Sequence, residues 1–282
     1  MSCLFLASVA VLDGPSTLNP ISQNTTDYES FLTQVKPQQC KDTHSYSYED
    51  ELSSAKFPGR HGLNDNEARD LAEWLGPQAY KLDPKYHIHM IELFAGHGML
   101  QENGLHRGHI VISLGYAHGQ DLAAPSARKM VTNLIKYTKP DHAFVAWPCG
   151  PYSSWNVKVN MQRSATLRDQ IQRQQKQGKK LIDLFFHVWK LQTSEGRHCT
   201  GENPHNSAAF QDPRFKELDA EYAHVKQCAY GLCHPDPKKK HLRHEKLTTF
   251  VSSTKSIKLM EKQKCDGKHE HTTLAIKPRI CH

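Results

Sequence analysis

The chain has little that is long and apolar. No window approaches the roughly 20 consecutive apolar residues that a membrane-spanning helix needs, and with 38% apolar residues the mean hydropathy is -0.66. A membrane-spanning function is not expected. Met1 to Leu12 lack the basic leading stretch of an export signal, and the apolar run from Leu4 to Val11 is short and interrupted by Ser8. That run reads as a buried or frayed terminus. The 8 cysteines are then expected to be reduced thiols in an intracellular protein, serving packing, metal binding or catalysis rather than a disulfide framework. No internal repeat of 20 to 50 residues is visible, which excludes solenoids and propellers.

Charge is present but uneven. The chain carries a net +7, yet residues 224–282 hold 13 basic and 5 acidic side chains, a net +8, while the first 223 residues sum to −1. A local positive field beside a near-neutral body suits a phosphate-backbone partner, and it equally suits a solvated tail.

Residues 1–58 are polar, without sustained period, and punctuated by Asp13-Gly14-Pro15 and Asn19-Pro20. They are expected to be an irregular arm preceding one α/β domain over residues 59–282. Asn64 is placed to cap a helix with apolar Ala68, Leu71, Ala72 and Leu75, ending at Gly76-Pro77. From His87 onward, short apolar runs alternate with helical patterns. Strands are predicted at His89–Ala95, His109–Leu114, His142–Trp147 and His198–Gly201. Helices are predicted after Pro125-Ser126 and around Leu181, Leu184, Phe185 and Val188. This alternation predicts a mostly parallel sheet with helices on both faces. In such sheets ligands bind beyond the carboxyl ends of the strands.

Three motifs fall at those ends. Glu92-Leu93-Phe94-Ala95-Gly96-His97-Gly98 runs from a strand into a glycine turn that lets a ligand approach the backbone closely. Trp147-Pro148-Cys149-Gly150-Pro151-Tyr152-Ser153-Ser154-Trp155 sets a thiol between two prolines on a stiff loop, where it is either a nucleophile or a small buried hydrophobe. Gly201-Glu202-Asn203-Pro204 ends the fourth strand with a carboxylate that burial would tune toward proton donation, or that simply caps the strand.

Taken together, these motifs resemble the cofactor, nucleophile and glutamate motifs of DNA cytosine-5 methyltransferases. More loosely, residues 87–210 resemble the Rossmann-like class I fold that binds S-adenosylmethionine. The resemblance implies methyl transfer to cytosine C5 in DNA, with Cys149 adding to the ring at C6 and Glu202 hydrogen-bonding its N3 edge. It places Glu92, Phe94, Ala95, Gly96, Gly98, Asp121 and Pro148 toward the cofactor, and Ser153, Asn203, Arg243 and Lys246 toward the substrate. The sequence departs from the family at Gly150 and Pro204, where glutamine and valine are usual, and at Leu114-Gly115-Tyr116, which holds no acidic residue for a ribose. The Pro-Cys-Gly-Pro and Glu-Asn-Pro versions look like divergent methyltransferase-like proteins of mobile elements and phages. Two other expectations stand beside methylation of DNA: a catalytically inactive nucleic-acid-binding module, and methylation of RNA or of a free pyrimidine nucleotide.

The C-terminal part adds Cys228-x4-Cys233-His234 and Cys265-x3-His269-x-His271. Cys265, His269 and His271 with one upstream ligand, taken as Cys228, form a candidate structural zinc site, although Gln227–Leu232 also reads as a strand that would bury Cys228. Lys238-Lys239-Lys240 through Arg243 are a candidate phosphate-contacting loop, and Gln170–Lys180 a solvent-facing helix or a nucleic-acid contact. Trp147, Tyr152 and Trp155 are either stacking partners for an extruded base or packing beneath the loop.

Overall fold

A computed structural model describes residues 63–272, apart from Pro235. The expected arm over 1–58 and its boundary lie outside the described residues. Helix α1, Asp65–Leu75, starts where the sequence places it. The Asn64 side chain accepts the Glu67 N–H at 3.0 Å and the Glu67 carboxylate accepts the Asn64 N–H at 3.2 Å, a reciprocal cap that satisfies two otherwise orphaned donors. Ala68, Leu71, Ala72 and Leu75 are its buried face.

A six-stranded sheet follows, in the order β2-β1-β3-β4-β7-β5. Strands β1 (Met90–Leu93), β2 (Val111–Leu114), β3 (His142–Val145) and β4 (His198–Pro204) run parallel, in the register Leu93–Leu114, Leu93–Val145 and Val145–Gly201. The first three are buried at every position, as strands covered on both faces must be. Strand β7 (Leu247–Ser252) pairs antiparallel with both β4 and β5 (Glu221–Lys226). The sheet is therefore mixed but mostly parallel, as expected, with the antiparallel pairings confined to β7.

Helix α2 (Met99–Leu105) follows β1, α3 (Ala127–Thr138) follows β2, and the 29-residue α4 (Ala165–Thr193) packs along β3 and β4. One sheet face closes around Met90, Phe144, Phe250 and Ala223 with Leu100 of α2 and with Ile257 and Met260 of a 3-10 helix, Lys255–Lys262. The outer edge of β2 is covered by side chains. The Gln78 amide both donates to and accepts from Ser113 (2.6 and 3.0 Å), and Lys81 Nζ donates to the Val111 carbonyl at 2.7 Å. These contacts occupy ladder groups that would otherwise invite another strand.

Two local readings change. Gln227–Tyr230 is a 3-10 turn, not a strand, because Gly231 turns the chain back in the left-handed region (φ 83°). The fourth strand runs three residues past its predicted end, to Pro204, because β7 pairs with Glu202, Asn203 and Pro204. Gln170–Lys180 lies in α4 with most side chains exposed, as a solvent-facing helix.

Candidate active site and metal centre

After β1 the chain steps out to β2 and returns to the other side of β1 for β3, so the strand order reverses between β1 and β3. Open α/β sheets bind ligands beyond the carboxyl ends at such a point, and the three motifs meet this edge. Leaving β1, Phe94 (φ 63°), Gly96 (φ 57°) and Gly98 (φ 69°) all take left-handed backbone. For Phe94 this costs about 1–2 kcal/mol, a strain characteristic of ligand turns. Ala95 N–H holds the turn by donating to the Leu114 carbonyl at 2.9 Å. A side chain at Gly98 would meet the His118 ring at 2.9 Å, so the imidazole lies directly over this backbone.

Glu92 is buried in β1 and accepts the Ser113 hydroxyl at 2.8 Å; burial pushes its carboxyl up to about 8. Asp121, on the loop after β2, pushes the Tyr116 hydroxyl up; the Tyr116 ring is 81% exposed. Tyr116 stands where the family resemblance leads one to expect an acid.

Cys149 begins a 3-10 turn, Gly150–Tyr152, directly after β3 and the exposed Pro148. The loop is anchored to α4: Tyr152 Oη donates to the Gln175 carbonyl at 2.7 Å and the Gln175 amide donates to the Pro151 carbonyl at 3.0 Å. Gly178 permits this docking, since a Cβ there would lie 2.8 Å from the Tyr152 ring. Ser153 Oγ accepts the Asn156 N–H at 3.2 Å and so starts the single π-helical turn Asn156–Asn160. Trp147 is buried among Phe185, Phe210 and Phe215, with ring centroids 5.0 to 5.9 Å away. Of the three aromatics weighed as stacking partners, Trp147 and Tyr152 are packing, while Trp155 remains 60% exposed beneath the Arg163 guanidinium.

Glu202 and Asn203 occupy the end of β4. Asn203 is fully buried and its amide donates to the Trp147 carbonyl at 2.8 Å, tying β4 to the residue two before the thiol. Lys246 Nζ stands 3.6 Å from Glu202 Oε1, just beyond hydrogen-bonding reach. Burial pushes the Glu202 carboxyl up, opposed by Lys246 and by the Thr248 hydroxyl. Burial likewise pushes the Cys149 thiol up, with Lys246 opposing and Glu202 adding to the shift. Cys149, Glu202 and Lys246 therefore share one electrostatic neighbourhood. Glu202 Oε1 and Asn203 Oδ1 are buried without a hydrogen-bond partner among the described residues, a rare condition that an arriving ligand would relieve.

Arg243 belongs elsewhere. It lies in β6 (Arg243–His244), which pairs with β8 (His271–Thr272), and its guanidinium donates to the Cys228 carbonyl at 3.1 Å. Sequence reasoning missed Thr248 and its partner Gln227, whose amide donates to Thr248 Oγ1 at 2.8 Å. The one available signal was the β-branched run in Leu247–Ser252.

The C-terminal cysteine and histidines converge as expected. Ligand atoms of Cys228, Cys265, His269 and His271 all lie within 4.8 Å of one another and could hold a metal ion. Cys265 Sγ is 3.4 Å from both His269 Nε2 and His271 Nε2, which are 3.0 Å apart. Tetrahedral zinc with ordinary bond lengths has edges of about 3.3–3.8 Å. The far nitrogens face carboxylates, His269 Nδ1 at 3.1 Å from Asp266 and His271 Nδ1 at 3.7 Å from Glu245, the outer shell that orients metal-bound imidazoles. Cys233 is not a member; its thiol turns to the Gly231 carbonyl at 3.0 Å.

Among the described residues no helix is long and apolar enough to cross a membrane. No protein-family model, no curated protein and no solved structure matches the chain, so what the site does is argued from its own geometry.

Proposed function

We propose that the protein transfers a methyl group from S-adenosylmethionine to cytosine C5 in DNA through a covalent Cys149 adduct. The observation that carries this is the pairing of β3 with β4 and the Asn203 amide on the Trp147 carbonyl, which bring the Cys149 loop and the Glu202–Lys246 pair to one carboxyl edge, beside the strained Phe94–Gly98 turn. A sheet order of β2-β1-β3-β4-β7-β5 with β7 reversed also supports a class I methyltransferase-like fold.

The cofactor would lie against the Phe94–Gly98 backbone, with Tyr116 and Asp121 as its polar neighbours, and when bound it supplies an electrophilic methyl group. The left-handed turn and the half-buried, side-chain-free Gly96 fit such a ligand once the His118 ring over Gly98 moves aside.

Cytosine C5 is too weak a nucleophile to act alone. Cys149, deprotonated, adds at C6 and drives electron density toward C5. Glu202, in the neutral form that its burial favours, donates to N3 and offsets the charge that develops there. Once C5 carries the methyl group, its proton passes to solvent, the C5–H electron pair re-forms the C5–C6 double bond, and the C6–S bond breaks to release the Cys149 thiolate. Asn203 holds the Trp147 carbonyl and so the entry to the thiol loop. The target base has to leave a duplex to reach this depth, and Trp155 is the exposed ring on which it would stack.

Two thiolate and two imidazole ligands favour zinc(II) at the Cys/His centre. The basic C-terminal part, including Lys238–Lys240, would supply phosphate contacts that weaken with salt. A second reading, a non-catalytic nucleic-acid-binding module, is favoured by Gly150 and by the burial that pushes the Cys149 thiol up. Nucleoside mass spectrometry after incubation with S-adenosylmethionine and cytosine-containing DNA, RNA or free nucleotide decides. 5-Methylcytosine in DNA that disappears with Cys149→Ala supports the proposal. Product only in RNA or nucleotide moves the substrate, and no product together with no calorimetric heat from the cofactor rejects the enzyme.

A further inference from the structure

The Cys/His centre and the carboxyl-edge site are joined by two consecutive residues. Glu245 and Lys246 are the whole link between β6 and β7. Glu245 faces His271 Nδ1 at 3.7 Å and also pairs with Lys226. Lys246, the next residue, faces Glu202 Oε1 at 3.6 Å. The backbone braces both. Gln227 N–H donates to the Lys246 carbonyl at 2.9 Å and Lys246 N–H to the His244 carbonyl at 2.8 Å. Gln227 directly precedes the ligand Cys228, and its amide also holds Thr248, the second partner of Glu202. Arg243 closes the loop onto the Cys228 carbonyl at 3.1 Å.

We infer that zinc bound by Cys228, Cys265, His269 and His271 is a positioning device for the carboxyl-edge site, holding the Glu245–Lys246 link so that the Lys246 cation stays against Glu202. The physical reason is the small size of what the link hangs from. Strands β6 and β8 have two residues each, too few to fix a lysine by ladder hydrogen bonds alone. Metal coordination ties four side chains from 228 to 271 to one point, and Glu245 passes that restraint to its neighbour through His271. Among the described residues, Lys246 in turn is the cation that favours the charged forms of both Cys149 and Glu202. Glu245 and Lys246 are thus positioning residues, and the metal acts without touching substrate.

The test does not require methyl transfer, so it stands apart from the reaction proposed above. The full chain is loaded with one equivalent of zinc, and the pH profile of Cys149 alkylation by iodoacetamide is followed by peptide mass spectrometry, which separates Cys149 from the ligand thiols. Removing zinc with a chelator, Glu245→Gln with zinc retained, and Lys246→Met are each expected to move the Cys149 profile to higher pH. A half-unit move lowers the thiolate fraction about threefold at neutral pH. Stripping zinc from Lys246→Met is expected to add nothing further. If circular dichroism shows that the metal-free chain unfolds, zinc-loaded Glu245→Gln carries the decision. An unchanged profile in Glu245→Gln, a zinc effect of equal size with and without Lys246, or failure to bind zinc overturns the inference.

Discussion

The carboxyl edge of the sheet and the Cys/His centre each gather polar side chains from distant points of the chain, and they are held by different means. Glu202 and Asn203 sit at the end of a buried, register-paired strand and Cys149 on the turn that follows its neighbour, braced by Trp147 among phenylalanines and by the Tyr152 contact with α4. Cys228, Cys265, His269 and His271 sit on short turns and two-residue strands, with mutually close imidazole nitrogens. The first site is organised by packing before any ligand arrives. The second is held by short strand pairing and the Arg243 contact with the Cys228 carbonyl, and its four side chains could also hold a metal ion; the difference predicts that perturbations will be local to one and propagated from the other.

The largest expected effect is at the weaker scaffold. Cys265→Ser removes one of the four side chains that we propose ligate zinc; structural zinc contributes ~10–16 kcal/mol in isolated fingers, so with zinc bound local stability should fall by several kcal/mol. Hydrogen exchange is expected to show lost protection in β6, β8 and Gln227–Tyr230, with β1–β3 amides unchanged. Uniform loss across all strands would erase the distinction.

Next in size is the pH response of the packed region. Glu92 is held up to about 8 by burial, so the native chain keeps a proton that the unfolded chain has released. Stability is then fully present below the ordinary carboxylate range and declines as pH rises toward about 8, by an amount on the order of a few kcal/mol. Lys81, pushed down to about 8 by burial, works the other way. The native chain releases its proton first, and this contribution grows from about 8 toward the usual lysine range. Urea midpoints of Glu92→Gln should lose the decline between pH 5 and 8 while keeping the alkaline arm. A parallel decline in the variant would remove Glu92 as its source.

Asn203→Ala should cost about 1–3 kcal/mol, because it leaves the buried Trp147 carbonyl without its donor, and thermal melts are the measure. The smallest expected effect is Gly178→Ala. Alanine gains up to about 1 kcal/mol of helix propensity, but its methyl would press on the Tyr152 ring at 2.8 Å. The melt should move little while Cys149 alkylation quickens as the loop loosens. Unchanged alkylation would mean that the Tyr152 anchor does not govern the thiol.

What could be read in the sequence divides along the same line. Strands β1 to β3 announce themselves as short apolar runs buried at every position, and the Asn64 cap and the faces of α1 and α3 through helical spacing. The Cys/His centre was also visible, because Cys265, His269 and His271 are near neighbours in the chain. Strands β5 and β7 were not. In β5, Glu221-Tyr222-Ala223-His224-Val225-Lys226 buries only Ala223 and Val225, and its strand character comes from β7 beside it rather than from its own composition. The same nonlocal pairing carries β4 onward to Pro204 and brings Thr248 to Glu202. Lys246 could be named only as one of several basic residues, because the contact that singles it out depends on where β6 hands the chain to β7.

The central claim is that the Cys149 sulfur and the Glu202 carboxyl address opposite edges of one pyrimidine ring. It is tested most directly by incubating the zinc-loaded chain and S-adenosylmethionine with DNA bearing 5-fluorocytosine, in which the final loss from C5 is blocked. The account predicts a covalent adduct that peptide mapping assigns to Cys149, absent in Cys149→Ala and strongly reduced in Glu202→Gln. An adduct on another cysteine, or none while the cofactor and DNA are both bound, would contradict it.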